Sequence, residues 1–561
     1  LAALIFPLGV NCYYEPLFNF VSVHKLTNSS NDLPIYKNPT YCVDDRVEDL
    51  VKRITIEKKA GQFFQTMIFQ GPRGIFDKRG ERRNNTENII AEKLITHFNI
   101  ANEIIDAKET AQFVNLVQQR ALNIRFGIPV TISSDLRHSF TDNFGIGMRA
   151  GAFSQWPESL GFAALRDPHL VGPHNVTTVT KYFPGGGPIK NGEDFHFAYG
   201  KDQIYPGNNF EYYLTFFKTV IAAGTRQIMP YYLRPFGTKY DPVGFFFNKQ
   251  IVICFLRETF GFKGIVFSDW GLITDIVILG QDMPARAWGV QHLSELDRAL
   301  RIFDAGINQF GGEARFELVV QLVKKGNVSE SRIDVSVKRL LREKFLLGLF
   351  KNPFVDPKAV RSIVGNDYFV RFGQDAQRKA YILLINKNEL LPFKGPRVNI
   401  STKFYIEGFN VTTLENRNFL VVKTPKKADY AFLRLQALYE PRPGGFESRF
   451  HAGSLEFNAT EKVRQAAIYK AVPTVVDIML NRPAVISEVA KGAAAVFGSF
   501  GSGTEVFLDV IFGIAAPEGK LPFDLPRSQK AVEELMEDVP FNIKSPVFTF
   551  GYGLRYGRCA I

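Results

Sequence analysis

One carboxylate in the sequence stands where a strand is expected to end. Asp269 closes the apolar run GFKGIVFSDW, and Trp270 follows it directly. A carboxylate at the carboxyl end of a strand, beside a ring that can stack on a sugar face, suits nucleophilic attack on an anomeric carbon. The same Asp would suit the N-cap of a following helix, and the segment alone favours that structural role. A core position is the ordinary alternative for the indole.

Asp269 belongs to a series of short apolar runs that each end in polar or Gly-rich residues. The runs are IPVTISSD (128–135), RQIMPYY (226–232), KGIVFSD (263–269) and DAGINQFGG (304–312). Helical stretches are expected between them, over 154–166, 210–223, 247–259, 293–303 and 314–326, after one amphipathic opening helix from Asp44 to Thr66. This alternation predicts parallel strands joined by crossover helices, a barrel in which chemistry gathers at the strand ends.

A second set of strand signals follows a Pro-containing connector. The basic helix SVKRLLREKFLLGLF (336–350) is expected to close the first region, and KNPFVDP comes after it. Further strands are expected in AYILLINKN, DYAFLRLQAL, PTVVDIML and AAAVFGSFG, the last leading into the helix TEVFLDVIFG. We therefore predict an N-terminal extension over residues 1–40, a barrel domain over 41–356 and an open α/β sandwich domain over 370–557.

Composition places the chain among globular multi-domain proteins. It has 561 residues, of which 45% are hydrophobic and 22% charged, enough for two or more cores. The net charge is +12, but Lys and Arg are scattered and interrupted by Asp and Glu. No basic stripe or nucleic-acid module is visible, so no nucleic-acid partner is expected. A basic protein that binds acidic polymers is kept as an alternative.

The cysteines and the glycosylation sequons indicate whether the protein is secreted or cytosolic. The four cysteines are widely spaced without a CxxC pair, which indicates neither a zinc site nor a dense disulfide framework and leaves one or two bridges open: Cys12, Cys42, Cys254 and Cys559. Seven Asn-x-Ser/Thr sequons occur, at Asn28, Asn84, Asn175, Asn327, Asn399, Asn410 and Asn458. They favour a secreted glycoprotein, with accidental sequons in a cytosolic protein as the alternative.

The apolar run Leu1 to Val10 fits the end of a signal-peptide core. No later stretch approaches the roughly twenty apolar residues that a membrane-spanning helix needs. An extracellular protein without a membrane partner is therefore expected.

Several segments resemble those of one enzyme family. GFKGIVFSDW resembles the nucleophile motif of the family-3 glycoside hydrolases, and VEDLVKRITIEKKAGQ, GIPVTISSDLRHSF, KYFPGGGP, IMPYY, REKFLLGLF, GKLPFDLP and FTFGYGLRY fall in that family's order over about residues 40–557. The resemblance implies a (β/α) barrel followed by an α/β sandwich. It also implies a retaining, exo-acting β-glycosidase of the β-glucosidase or exo-β-glucanase type, which removes terminal β-linked glucose.

The same resemblance implies roles for individual residues. Asp269 would be the nucleophile, and the sugar contacts would be those of Asp135, Lys181, Tyr182, Tyr231 and Trp270. Lys181 would donate to a sugar hydroxyl, and Trp270 would form one wall of the subsite. Tyr182 stands where the family generally has His, so that a phenol replaces an imidazole donor.

Retention requires a second group, about 5 to 5.5 Å from the nucleophile, that protonates the leaving oxygen and then activates water. YEPRPGGFESRFHAGSLEF offers Glu440 and Glu447, and Glu447 fits better the family's Glu shortly before a Gly-x-Leu pattern. GEDFHF offers His196 with Asp194, similar to the Asp-x-His pair of the N-acetylglucosaminidase branch. We place Glu447 first and His196 with Asp194 second, and all four could instead be ordinary loop residues.

One part of the family pattern is missing. Only a few residues separate SLGFAALRDPHLV (159–171) from KYFPGGGP (181–188), where the family has one or two further βα units. Omitting units from an eight-stranded barrel should leave an open edge or a distorted closure. We therefore expect an incomplete barrel.

Three functions follow from these patterns. The first is the β-glucosidase with Asp269 as nucleophile, and the others are an impaired relative that only binds carbohydrate and an N-acetylglucosaminidase-like enzyme using His196 and Asp194. The expected partner is a β-linked glucoside or oligosaccharide. No metal or organic cofactor is implied, because two carboxyl groups suffice for the chemistry.

Overall fold

The computed structural model describes residues 33–77, 85–101, 103–135, 137–141, 148–166, 177–394 and 398–557. Most of the predicted N-terminal extension lies outside these ranges. The first region contains the strands β1 Phe64–Ile68, β2 His97–Ile100, β3 Thr131–Ser133, β4 Val179–Phe183, β5 Asp202–Gln203, β6 Gln227–Pro230, β7 Arg234–Pro235, β8 Ile265–Trp270, β9 Ile276–Ile278, β10 Gln281–Met283 and β11 Gln309–Gly311. The later region contains β12 Ile382–Asn386, β13 Lys403–Glu407, β14 Leu420–Val421, β15 Tyr430–Gln436, β16 Thr474–Met479 and β17 Ala495–Ser499.

Helices alternate with these strands. Those of the first region are α1 Val43–Arg53, α2 Ile56–Gln62, α3 Thr86–Ala91, α4 Ala107–Leu122, α5 Ser159–Leu165, α6 Phe210–Ala222, α7 Glu295–Asp304, α8 Phe316–Lys324 and α9 Glu330–Leu346, with a π-helix over Gln250–Thr259. Those of the later region are α10 Val360–Ile363, α11 Asp367–Ala380, α12 Val411–Asn416, α13 Ala459–Ala471, α14 Ser487–Gly492, α15 Thr504–Ile511 and α16 Gln529–Glu533. None of the described helices is long and apolar enough to cross a membrane.

Seven strands of the first region form one sheet in the order β3-β2-β1-β11-β8-β6-β4. Every neighbouring pair is parallel, which confirms the parallel arrangement and the four predicted strands β3, β6, β8 and β11. The predicted runs did not include β1, β2 and β4. The two edges are β3 and β4, which follow one another along the chain, and in the described residues no strand pairing joins them. The barrel is therefore open at the place where the sequence lacks units of the family pattern.

The predicted opening helix is two helices, so that prediction was wrong in its extent. Ile54 has extended backbone angles, φ −87° and ψ 142°, and Thr55 starts a new helix by accepting a hydrogen bond from the backbone N–H of Lys58. The residues up to Thr66 were expected to be helical, but the chain enters β1 at Phe64. Apolar spacing continued across the break and hid the capping signal of Thr55.

The buried side chain of Lys344 connects the closing helix α9 to the barrel through hydrogen bonds. Lys344 donates from Nζ to the carbonyl oxygens of Thr96 and Pro129 at 2.9 and 3.0 Å and to Oγ1 of Thr131 at 2.9 Å. These acceptors lie at the start of β2 and β3. Complete burial holds the pKa of Lys344 well below its usual value. These three hydrogen bonds orient the helix against the starts of β2 and β3.

The second sheet has six strands in the order β12-β17-β16-β15-β13-β14, and only β12 is antiparallel to its neighbour. Consecutive residues enter separate cores: Leu384 and Val476 pack on one face, whereas Leu383 and Val475 pack on the other. This confirms an α/β sandwich. The sequence did not predict β13 or β14, and only the two-residue β14 lies at the sheet edge.

The two regions are joined by a buried carboxylate. Asp538, which is fully buried, accepts hydrogen bonds from the backbone N–H groups of Gly207 and Asn209, both at 2.8 Å. The side chain of Asn209 donates in turn to the carbonyl oxygen of Asp538 at 2.9 Å. A segment close to the C-terminus is thus tied to the barrel loop that follows β5.

Two of the four cysteines lie within the described residues, and neither forms a disulfide bond. Cys42 and Cys254 are exposed free thiols, whereas Cys12 and Cys559 lie outside the described residues. The described part of the chain contains no group of three or more His, Cys, Asp or Glu arranged to hold a metal ion.

Candidate active site

Asp269 lies near the carboxyl end of β8 and is 7% exposed. The hydroxyl of Tyr232 makes two hydrogen bonds with the backbone of the next residue, Trp270. It donates to the Trp270 carbonyl at 2.6 Å and accepts from the Trp270 N–H at 2.8 Å. Burial raises the pKa of Asp269, while the charges of Lys181 and His196 act in the opposite direction. The site thus counteracts the cost of ionising a buried carboxylate.

An ion pair joins the two edges of the open barrel. Lys181 in β4 donates from Nζ to Oδ1 of Asp135, just beyond β3, at 3.0 Å. The other oxygen of Asp135 accepts from Nδ2 of Asn99 at 3.0 Å. Burial alone would lower the pKa of Lys181, but Tyr182, Asp135 and Asp269 raise it above its usual value. A charged ammonium group therefore stands close to two carboxylates.

Two tyrosines pack against each other next to this ion pair, since the Tyr182 ring centroid lies 5.9 Å from Nζ of Lys181. The rings of Tyr182 and Tyr231 have centroids 4.5 Å apart, and Phe195 lies 4.4 Å from Tyr231. Tyr182 has a positive φ of 75°, at an irregularity in the pairing of β4 with β6. Burial raises the pKa of both phenols, so they remain hydrogen-bond donors. Tyr231 is only 2% exposed, which makes Tyr182 the more open of the two.

His196 and Asp194 form a pair inside the barrel site. Oδ1 of Asp194 accepts from the backbone N–H of His196 at 2.9 Å and lies 2.8 Å from its ring Nδ1. An ionised carboxylate only accepts, so Nδ1 carries the proton and Nε2 is left for another partner. The imidazole packs 5.1 Å from the ring of Tyr232 and 4.9 Å from that of Phe450. The charge of His196 acts on Asp269, so the second acid/base candidate lies within electrostatic range of the candidate nucleophile.

Glu447 reaches the barrel from the second domain. Its Oε1 accepts from the hydroxyl of Tyr199 at 2.6 Å, and Arg442 lies 4.0 Å from the same oxygen. Gln281 in β10 holds the segment, because its Oε1 accepts from the N–H groups of Phe446 at 3.0 Å and Glu447 at 2.8 Å. The same Gln281 donates from Nε2 to Oε2 of Glu447 at 3.4 Å. The hairpin β9–β10, which follows the strand of Asp269, thus holds the first acid/base candidate in place.

A shared aromatic cluster brings the two candidates into one region. Phe197, Met283, Phe446 and Phe450 form a buried cluster between the barrel and the second-domain loop, and the His196 ring lies 6.0 Å from that of Phe446. Glu440, the third candidate, is exposed, and its charge acts on Arg482 of its own domain. The contacts bring His196 and Glu447 to the boundary between the two regions, and Glu440 lies near the same boundary, because the charge of Glu193 in the barrel region also acts on Arg482.

Trp270 borders the site from the side of β11. It is partly exposed, as a sugar-stacking ring must be. Gly312 permits its position, because a Cβ atom there would lie 2.7 Å from the indole and its φ is +73°. Any larger residue would displace the ring.

Sequence reasoning missed Tyr232, Gln281 and Arg286. Arg286, which is 2% exposed, donates to the Trp270 carbonyl at 3.1 Å, and its guanidinium lies 5.5 Å from the ring of Tyr232. Tyr232 directly follows Tyr231 in the run IMPYY, and the family resemblance implies a sugar contact only for Tyr231. Gln281 and Arg286 had no local signal, because their contacts are made with distant parts of the chain.

Comparison with known sequences covers both regions. Residues 171–343 match the family model described as the glycosyl hydrolase family 3 N-terminal domain, and residues 416–556 match that of the C-terminal domain. A protein of Aspergillus flavus named probable beta-glucosidase C is 54% identical over 600 residues, covering 96% of this chain and 94% of its own. That alignment is longer than the 561 residues of the chain, so the relative contains inserted residues that this chain lacks.

Two further similarities also extend over most of the chain. Beta-glucosidase C of Emericella nidulans is 54% identical over 587 residues, covering 93% of this chain and 94% of its own. Among solved structures, a β-glucosidase from Erythrobacter marinus has the same fold with a TM-score of 0.71 at 17% identity, covering 93% of this chain and 84% of that one. With both halves of the chain matched by family models and with relatives this similar along nearly its whole length, the protein belongs to glycosyl hydrolase family 3.

Proposed function

We propose that the protein is a retaining exo-β-glycosidase that removes terminal β-linked glucose from glucosides or glucans. One observation carries this proposal: Asp269 lies buried at the carboxyl end of a barrel strand, under the influence of the Lys181 ammonium group and close to Tyr232. The names of the similar fungal proteins, beta-glucosidase C, support the choice of glucose.

In the proposed reaction, a carboxylate oxygen of Asp269 attacks C1 of the sugar and forms a covalent glycosyl-enzyme. Glu447 gives its proton to the leaving oxygen as the glycosidic bond breaks. It then takes a proton from the water that attacks C1, and Asp269 leaves as a carboxylate. Lys181 and Asp135 bind sugar hydroxyls, and Trp270 supports the sugar ring.

His196 and Asp194 receive a different role in this proposal. Because the charge of His196 lowers the pKa of Asp269, the pair favours the ionised form of the nucleophile. Asp194 orients the imidazole through the 2.8 Å contact with Nδ1. The alternative, in which His196 is the acid/base of an N-acetylglucosaminidase-like enzyme, is less favoured because the similar proteins are named β-glucosidases.

The stereochemistry of the first product tests the reaction. We expect proton NMR to detect β-glucose as the first sugar released from an aryl β-glucoside, since two inversions at C1 retain its configuration. An aryl N-acetyl-β-glucosaminide should be hydrolysed more slowly. Release of α-glucose first would contradict a covalent intermediate. Binding of glucoside without hydrolysis would instead support the impaired relative that only binds carbohydrate.

Replacement of Lys181 tests the proposed sugar contact. We expect Lys181→Met to lower kcat/KM for an aryl β-glucoside about 10- to 100-fold, which corresponds to a lost charge-assisted hydrogen bond. Lys181 also lowers the pKa of Asp269, so its removal raises that pKa and moves the acidic limb of the kcat/KM profile to higher pH. Lys249→Met, an exposed lysine before the π-helix, is the matched control. An unchanged pH profile would refute the electrostatic part of the argument.

We further propose that the protein is secreted and glycosylated. The four sequons inside the described ranges, Asn327, Asn399, Asn410 and Asn458, are all exposed. Asn458 and Asn410 accept helix-capping hydrogen bonds only through their side-chain oxygens, which leaves the amide nitrogens open for a glycan. Asn28, Asn84 and Asn175 lie outside the described residues.

A further inference from the structure

A cavity of about 330 Å³ lies at the end of the barrel remote from Asp269. Arg226 and Ile265 line it, at the amino ends of β6 and β8, whereas Asp269 lies near the carboxyl end of β8. The charged side chains in its lining are Arg226, Lys263, Arg339, Arg342 and Glu343. Four cations and one carboxylate therefore surround one space.

The ion pairs leave part of this charge unbalanced. Arg226 pairs with Glu343 at 3.1 Å, and Arg342 pairs with Asp44 at 2.9 Å. For Arg339 and Lys263, no carboxylate of the described chain comes within ion-pair distance. Two positive charges on the cavity wall are thus without an acidic partner on the described protein.

Further guanidinium groups lie behind Arg339. Arg257 donates to Oδ1 of Asn308 at 2.6 Å, and Arg339 approaches the same oxygen at 3.4 Å. Burial, together with the charges of Arg339 and Arg332, lowers the pKa of Arg257 to about 9. Burial and the charge of Arg339 likewise lower the pKa of Arg332 to about 10. Arg339 therefore belongs to a crowded group of like charges.

Like charges that are partly removed from water destabilise one another unless a counter-charge is present. An oxyanion in the cavity would supply that charge, and a guanidinium fork matches the spacing of its oxygens. We propose that this cavity binds a small tetrahedral oxyanion, phosphate or sulfate, through Arg339 and Lys263. Because the cavity is remote from the nucleophile, the bound anion stabilises the barrel without taking part in glycoside cleavage.

Isothermal titration with inorganic phosphate and with sulfate, at constant ionic strength set by KCl, tests the proposal. We expect saturable binding of one anion per chain. Arg339→Gln and Lys263→Gln should each weaken it about tenfold or more, as expected for a lost charge-assisted hydrogen bond. Lys426→Gln, at an exposed lysine of the second domain, makes the same chemical change away from the cavity and should leave the affinity unchanged.

Lys263 is exposed, so Lys263→Gln should fold even if Arg339→Gln does not. A far-UV circular dichroism spectrum and a melting temperature equal to those of the wild-type protein would verify that the variant is folded. Absence of saturable binding to the wild-type protein, or binding that both cavity variants retain, would overturn the proposal. Since neither residue belongs to the glycosidase site, either result is independent of the catalytic assignment.

Discussion

Replacing Asp269 by Asn or Ala should lower kcat for an aryl β-glucoside by about 10⁴-fold or more. Loss of a nucleophile removes the covalent route altogether, and losses of this size or larger follow when other enzymes lose theirs. The Asn variant keeps the size of the side chain and the contact with the Trp270 N–H at 2.9 Å. A large loss in that variant would therefore reflect the missing charge and nucleophile rather than a collapsed site.

Covalent trapping identifies the nucleophile directly. A 2-deoxy-2-fluoro-β-glucoside with a good leaving group should label the wild-type protein once, on the peptide that contains Asp269. Asp282→Asn, an exposed Asp in the neighbouring hairpin, makes the same chemical change and should retain both activity and labelling. A label on any other peptide, or undiminished turnover in Asp269→Ala, would show that the nucleophile lies elsewhere.

Replacing Glu447 by Ala should produce a loss that depends on the leaving group. We expect kcat/KM for a phenyl β-glucoside to fall about 10²- to 10⁴-fold, the usual contribution of general acid catalysis. For a 2,4-dinitrophenyl β-glucoside, kcat/KM should hardly change, because that leaving group departs without a proton. Added azide should restore turnover by attacking the glycosyl-enzyme without a base, giving β-glucosyl azide.

Two comparison variants separate the candidates for this role. Glu440→Ala removes another Glu of the same loop and should have little effect with either substrate. His196→Gln should lower activity with both substrates alike, because it withdraws support from Asp269 rather than a proton from the leaving group. If the leaving-group dependence appears in His196→Gln and not in Glu447→Ala, then His196 with Asp194 is the acid/base pair.

Part of the site could be predicted because parallel strands end at one edge of a sheet. Asp135, Lys181 and Asp269 lie within or just beyond apolar runs, and the structure places the first two 3.0 Å apart and Lys181 within electrostatic range of Asp269. The open barrel was predictable for a similar reason, since a missing βα unit must leave two unpaired edges.

Contacts between remote parts of the chain could not be predicted. Gln281 acts on the backbone of Glu447, 166 residues later, and nothing in its local sequence indicates a partner. The group around Arg339 is hidden in the same way, because Arg257, Arg332 and Arg339 come from two different helices. Periodicity also failed at Ile54, where one capping Thr interrupts an otherwise continuous apolar pattern.

In the proposed mechanism, Asp269 and Glu447 belong to different domains, so turnover should be sensitive to the contacts between these domains. The hydrogen bonds that Gln281 accepts from Phe446 and Glu447, and those that Asp538 accepts from the barrel loop, join the two regions. A displacement of about 1 Å between reacting groups can cost on the order of 100-fold in rate. Mild warming that weakens the contacts between the domains should therefore abolish turnover while circular dichroism still shows intact secondary structure. Cooling should restore turnover.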